Sequence, residues 1–178
     1  MKRIAMVMLS ALCCSGCFGS ETSLYQGVKP LTPLRPGPVT SRDKDGKVGK
    51  SQLAQDADGT YRLTVSDRGE DFGKGYRVRL FPLADAPDGQ LVAEVKDCGT
   101  DFQRCAAGSG WTYELVRLMP GKVEWRDPDC STALSKLSGI HVQIDSCKFS
   151  DRASLEKALA VVAQTPWQAT GTYTLAAP

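Results

Sequence analysis

The chain has 178 residues, a net charge of +2, 42% hydrophobic residues and 24% charged ones. That ordinary composition supports one packed domain. It gives no global field that would draw the protein to nucleic acid, least of all because Lys2 and Arg3 supply the whole positive surplus.

Lys2 and Arg3 lead into an apolar run over residues 4–12. The run is too short to cross about 30 Å of hydrocarbon, which takes roughly 20 apolar residues as a helix. A basic start, a short apolar stretch and small residues after it form the pattern of an export signal. The run ends in Cys13-Cys14-Ser15-Gly16-Cys17. Ser15-Gly16-Cys17 resembles the lipobox of bacterial lipoproteins, with Cys14 standing where that pattern usually has Leu. The resemblance covers residues 1–17 and says nothing of the rest. It implies that residues 1–16 are removed and that Cys17 becomes the first residue, carrying a diacylglycerol and an N-acyl chain. It also implies a place in the cell envelope, and Phe18, a residue other than Asp after the cysteine, implies the outer membrane with the body facing the periplasm. Several acyl chains, at about 0.8 kcal/mol per buried methylene, would make the bilayer a permanent partner.

Pro30, Pro33, Pro36 and Pro38 then crowd together. Each fixes φ and removes an amide donor, which favours extended polyproline geometry. Residues 41–50 are polar and glycine-rich, a poor composition for burial. The sequence therefore predicts a lipidated cysteine with a flexible tether over 17–58 and a soluble β-rich domain over 59–178. Two motif echoes in the tether fail on inspection. Asp43, Asp45 and Gly46 suggest a calcium loop, but its first position is Ser41 and its twelfth is Gln52, so two carboxylates are missing. Gly49-Lys50-Ser51 suggests a phosphate loop, but the required earlier glycine is Lys44.

From Gly59 the pattern has a period of two, as in half-buried strands. Tyr61, Leu63 and Val65 form one set; Tyr76, Val78 and Leu80 a second; Leu91, Ala93 and Val95 a third. Trp111, Tyr113 and Leu115 follow, then Val123 and Trp125, then Ile140, Val142 and Ile144. Pro120-Gly121 suits a type II turn joining the Trp111 and Val123 strands, and Ala86-Pro87-Asp88-Gly89 reads as another turn. Ser150 or Asp151 caps a helix whose apolar stripe is Leu155, Ala158, Leu159 and Val162, bounded by Pro166. Residues 172–175 form a short closing strand. The expected fold is mainly β: an antiparallel sandwich or partly open barrel of six to seven strands with one helix packed on it.

Of the seven cysteines, Cys13 and Cys14 leave with the leader and Cys17 takes the lipid. Cys98, Cys105, Cys130 and Cys147 remain, an even number for an oxidising compartment. Bridges Cys98–Cys105 and Cys130–Cys147 each close a short loop, worth about 2.5–3 kcal/mol by loop closure. The spacings do not suit zinc, and no metal or other cofactor is expected.

No residue cluster marks a chemistry. His141, the only histidine, sits on the polar phase of its strand, and no base–nucleophile pair or paired carboxylates stand out. Arg62, Arg77, Arg79, Lys96 and Arg117 could form a basic row on one sheet face, interrupted by Glu94 and Glu114 as cross-strand partners. Trp111 and Trp125 fall on inward phases and read as core; Trp167, after Pro166, reads as a surface contact. The expectation is a non-enzymatic envelope lipoprotein whose domain binds a partner protein or assembles with an envelope complex. The alternative is a small-molecule carrier, since a closed barrel of about eight strands encloses one ligand. A periplasmic enzyme with residues gathered from loops ranks last.

Overall fold

The computed structural model describes residues 17–67, 70–84, 86–99, 102, 105, 110–130, 137, 140–143 and 146–175. Residues 1–16, expected to be a removed leader, and Ile144 of the last strand set lie outside the described residues. The strands are β1 (Cys17–Ser20), β2 (Gly37–Asp43), β3 (Val48–Gln55), β4 (Tyr61–Asp67), β5 (Glu70–Pro82), β6 (Gln90–Gly99), β7 (Trp111–Met119), β8 (Lys122–Arg126), β9 (Ile140–Gln143), β10 (Ser146–Phe149) and β11 (Gly171–Leu175); helix α1 spans Arg152–Ala163.

Eight of these strands close on themselves. From β2 to β8 each strand pairs antiparallel with the next in the chain. β8 pairs with β11, and β11 pairs back onto β2. The result is an up-and-down barrel, not the expected sandwich or partly open barrel of six to seven strands. The two further strands are β2 and β3, whose sequence reads as tether. Their apolar signal is thin: Val39 and Leu53 face inward, while most of their other residues are polar or small. The 17–58 tether is therefore corrected to folded chain. Pro38 is tolerated because it sits at the start of β2, beyond Val39, the last residue paired to β11. Even the proline-rich stretch is held. Leu31 bridges to Leu80, and the Tyr61 hydroxyl accepts from Leu34 N at 2.9 Å and donates to Leu34 O at 3.1 Å.

The expected turns and helix form. Pro120-Gly121 joins β7 and β8 with Gly121 at φ +69°, the left-handed value that a type II turn needs at that position. α1 is capped by Asp151, whose carboxylate accepts from Ser154 N at 2.8 Å, and it buries Leu155, Ala158, Leu159 and Val162.

A second core lies outside the barrel. β8 pairs with residues from Leu115 to Met119 of β7, which leaves the start of β7 free on that side. β1 takes the place, pairing with Trp111 to Tyr113. β10 runs parallel to β1, and β9 antiparallel to β10. Phe18, Tyr25, Phe81, Tyr113, Phe149 and Leu155 are buried in this outer layer, with Tyr25 stacked on Phe81 at 4.1 Å. β7 is thus buried on both faces.

The outer layer is pinned by a buried ion pair. Glu94 is fully buried and bonded to Arg79 through Nε at 2.9 Å, with a second contact from Nη2. Tyr113 Oη donates to Glu94 Oε1 at 3.2 Å and lies 2.8 Å from Ser20 Oγ, while Arg79 Nη2 reaches Ser23 Oγ at 2.6 Å. The network ties the segment after β1 to β5, β6 and β7. Arg79→Met should lower stability by about 3–5 kcal/mol in urea unfolding, because it strands a buried carboxylate. Adding Glu94→Gln to it should restore part of that loss; equal losses in both variants would show that the pair is not the pin.

Candidate functional site

Inward-facing residues of the eight strands line a cavity of about 680 Å³, within the range of small-molecule sites. Its two ends differ chemically. Towards the end covered by Leu34 the walls are aliphatic: Val39, Leu53, Leu63, Leu80, Val116 and Val123. Towards the other end stand Tyr76 of β5, Glu114 of β7, Trp125 of β8 and Tyr173 of β11. Beyond them the cavity reaches Asp43, Lys47 and the exposed Val48 at the β2–β3 turn.

Strand register places each of these groups. Glu114 lies opposite Ala93 on β6, so no cross-strand side chain of any length shields it there. Gly171 lies opposite Trp125, and any Cβ at that glycine would strike the indole ring. Glycine therefore lets Trp125 lie flat over β11 and stack on Tyr173 at 4.2 Å, with the planes 23° apart.

Glu114 carries the electrostatic anomaly. Among the described residues no hydrogen bond or ion pair reaches its carboxyl, and its remaining accessible surface opens into the cavity. Burial pushes its pKa up to about 8, and the like charge of Asp127 adds to the effect. Asp127 is itself raised by burial, against the lowering effect of Thr170. Tyr173 and Tyr76 are raised by burial first, with Glu114 contributing to both.

The residues singled out from sequence lie elsewhere. Cys17 is the first residue of β1, partnered with Ser146, and its side chain is outside the described atoms. Cys98–Cys105 and Cys130–Cys147 are both bridged, and none of the four lines the cavity. His141 lies opposite Lys148 on β10, its side chain also outside the described atoms. Trp111, expected inward, is on the outer face, with Arg79 and Lys96 each 5.1 Å from its ring centre. Trp167 is half-buried against the outer core, with the Arg117 guanidinium 4.5 Å over its ring, so it is not the free surface contact expected. The Asp43 carboxylate accepts from Asp45 N and Lys47 N and shapes the β2–β3 turn; among the described residues no acidic, histidine or cysteine cluster could hold a metal ion.

Arg62, Arg77 and Lys96 do stand in one row across β4, β5 and β6, and Glu94 interrupts the basic face through Arg79. Glu114 does not belong to that face; it points into the barrel. Tyr113 and Leu115, inward by the alternation of β7, are on its outward face. The usable signal was Val116 and Leu118, apolar and in phase with Glu114. Compared with known protein families, curated proteins and solved structures, the chain matches none.

The Glu114 environment has a measurable consequence. The unfolded chain releases this proton near the ordinary value of 4.5, and the folded chain holds it to about 8. Between those values the folded state binds more protons, so stability falls as pH rises through the window. Relative to Glu114→Gln, the wild type should lose on the order of a few kcal/mol between them. Carboxyl carbon resonances followed by NMR should show a midpoint near 8 for Glu114; a midpoint in the usual glutamate range would mean the group is solvated.

Proposed function

We propose that this chain is a lipid-anchored envelope protein whose barrel binds one small, largely apolar molecule. The observation that carries the reading is the cavity: about 680 Å³, enclosed by eight strands and lined mostly by aliphatic and aromatic side chains. Eight-stranded barrels are just wide enough either to fill with side chains or to hold one small ligand. Here much of the interior is small or short, as at Ala93, Ser41 and Gly49, and space remains. A lumen empty for packing's sake would be a plain loss, because voids forfeit contacts on every wall.

The protein-binding role expected first from sequence has less behind it. Among the described residues the exposed large apolar side chains are Leu31, Val48, Met119 and Val161. Four such side chains, on four different chain segments, are a small apolar set for a docking surface of several hundred Å².

The anchor follows from Ser15-Gly16-Cys17. A lipid on Cys17 would attach directly to a strand of the folded body, one residue before the fully buried Phe18. β1 flanks the Trp111 to Tyr113 half of β7, so the lipid would sit on the half of the barrel that carries Glu114. The bilayer is then close to the polar end of the cavity.

Two experiments test this reading. The barrel, expressed without its leader, should bind an uncharged fluorescent probe such as N-phenylnaphthylamine at one site. Ala93→Phe should weaken that binding about tenfold or more by filling the lumen, with thermal unfolding little changed; full binding in the filled variant would place the probe outside the barrel. Separately, Cys17→Ser should move the protein from the envelope membrane fraction to the soluble fraction, and a distribution unchanged from wild type would refute the anchor.

A further inference from the structure

We propose that the ligand is a single-chain amphiphile with a cationic ammonium head, whose head is held by Glu114 against the Trp125–Tyr173 stack and whose tail lies towards Leu34. The inference rests on the cavity reading above and deepens it.

The charge distribution selects the head group. The carboxyl of Glu114 faces the cavity with no counter-ion or donor among the described residues. The titratable groups around it are Asp127 at the end of β8, Tyr173 from β11 and Tyr76 from β5. From β6 it meets Ala93 and its lumen neighbour Val95. None of these is a cation. Arg62, Arg77 and Lys96 alternate with the lumen residues Leu63, Val78 and Val95, and so lie on the outer face. Lys47 is at the β2–β3 turn, beside Asp43. A carboxylate-headed ligand with its head beside Trp125 and Tyr173 would thus meet Glu114, with Asp127 behind it and the one lining base, Lys47, held off at the β2–β3 turn beside Asp43, which disfavours it. An ammonium meets a carboxylate in a low-dielectric site and aromatic faces beside it, the two features that bind such heads.

The tail follows from the walls. Tyr76 and Leu80 both line the cavity and are four residues apart on β5, so the aliphatic path runs about 13 Å at ~3.3 Å per residue. That path suits a medium-length alkyl chain and leaves no polar group to satisfy a second head.

Binding also moves a proton. In the empty barrel near pH 7 Glu114 holds its proton, as burial dictates. An arriving ammonium favours the ionised form, so the carboxyl releases that proton to solvent and the ion pair forms. Affinity for a permanently charged head should therefore rise with pH up to about 8 and level off above it.

The test compares dodecyltrimethylammonium, dodecanol and dodecanoate by calorimetry on the leaderless chain, wild type and Glu114→Gln. The ammonium should bind the wild type about tenfold or more tightly than the other two above pH 8, and Glu114→Gln should remove that preference while keeping dodecanol binding. Near pH 7, titrations in buffers of different ionisation enthalpy should show about one proton released per ammonium bound. This last reading uses the wild type alone and so survives a variant that does not fold. Dodecanol or dodecanoate binding as tightly as the ammonium, or ammonium binding without proton release, would overturn the cationic head and leave the cavity reading standing. If none of the three binds and the neutral fluorescent probe also fails, the cavity reading itself falls.

Discussion

Closure by β11 is the constraint on which the rest of the molecule depends. Its five residues pair on one side with β8 and on the other with β2, so one short strand joins the two edges of a seven-stranded meander. Without it the sheet would have two open edges, and its inner face would be a groove. Closure removes the edges and creates the lumen in the same step. The price in chain is the long excursion from β8, through β9, β10 and α1, before β11 returns. That excursion is put to use: β10 and α1 bury the outer face of the barrel together with β1, and the Cys130–Cys147 bridge ties the start of the excursion to β10.

Two inward-held carboxyls, Glu94 fully buried and Glu114 half-buried at the lumen wall, show how differently the fold treats charge. Glu94 has an arginine, a tyrosine hydroxyl and a nearby serine, and it stitches the outer layer to the barrel. Glu114, on the adjacent strand, has nothing but a neighbouring acid. An unpaired buried carboxyl costs free energy that a glutamine or leucine at the same position would not. Departures from local consistency of this kind concentrate at functional sites, and this one points into the lumen of the barrel. The indole–phenol stack beside it owes its geometry to Gly171, and with Tyr76 the polar end is built from four strands at once.

Much of the barrel was legible in the chain. The period-two sets at Tyr61, Tyr76, Leu91 and Val123 correspond to β4, β5, β6 and β8, and residues 172–175 fall within β11. The Asp151 cap and the Pro120-Gly121 turn were readable because each depends on local chemistry alone. β2 and β3 were not, since clustered prolines and polar residues imitate a spacer when only their two neighbours in space complete the pattern. The site itself was missed for a related reason. In a strand buried on both faces, alternation no longer tells inside from outside, and β7 is such a strand. Trp111, Tyr113 and Leu115 are the bulkier set and look like a core, yet they face the outer layer while Glu114 and Val116 face the lumen. Only the closed pairing of β6 with both β5 and β7 resolves which phase is which.

A barrel closed by its last strand thus holds one unpaired acid at the polar end of an apolar lumen, the place proposed for an ammonium head. Diffraction from crystals grown with a terminally brominated dodecylamine tests it most directly. The anomalous bromine peak should lie among Leu53, Leu63 and Leu80, with the amine nitrogen within hydrogen-bonding distance of the Glu114 carboxyl. Bromine on the outer surface, or a tail lying in the barrel with its nitrogen turned away from Glu114, would contradict it.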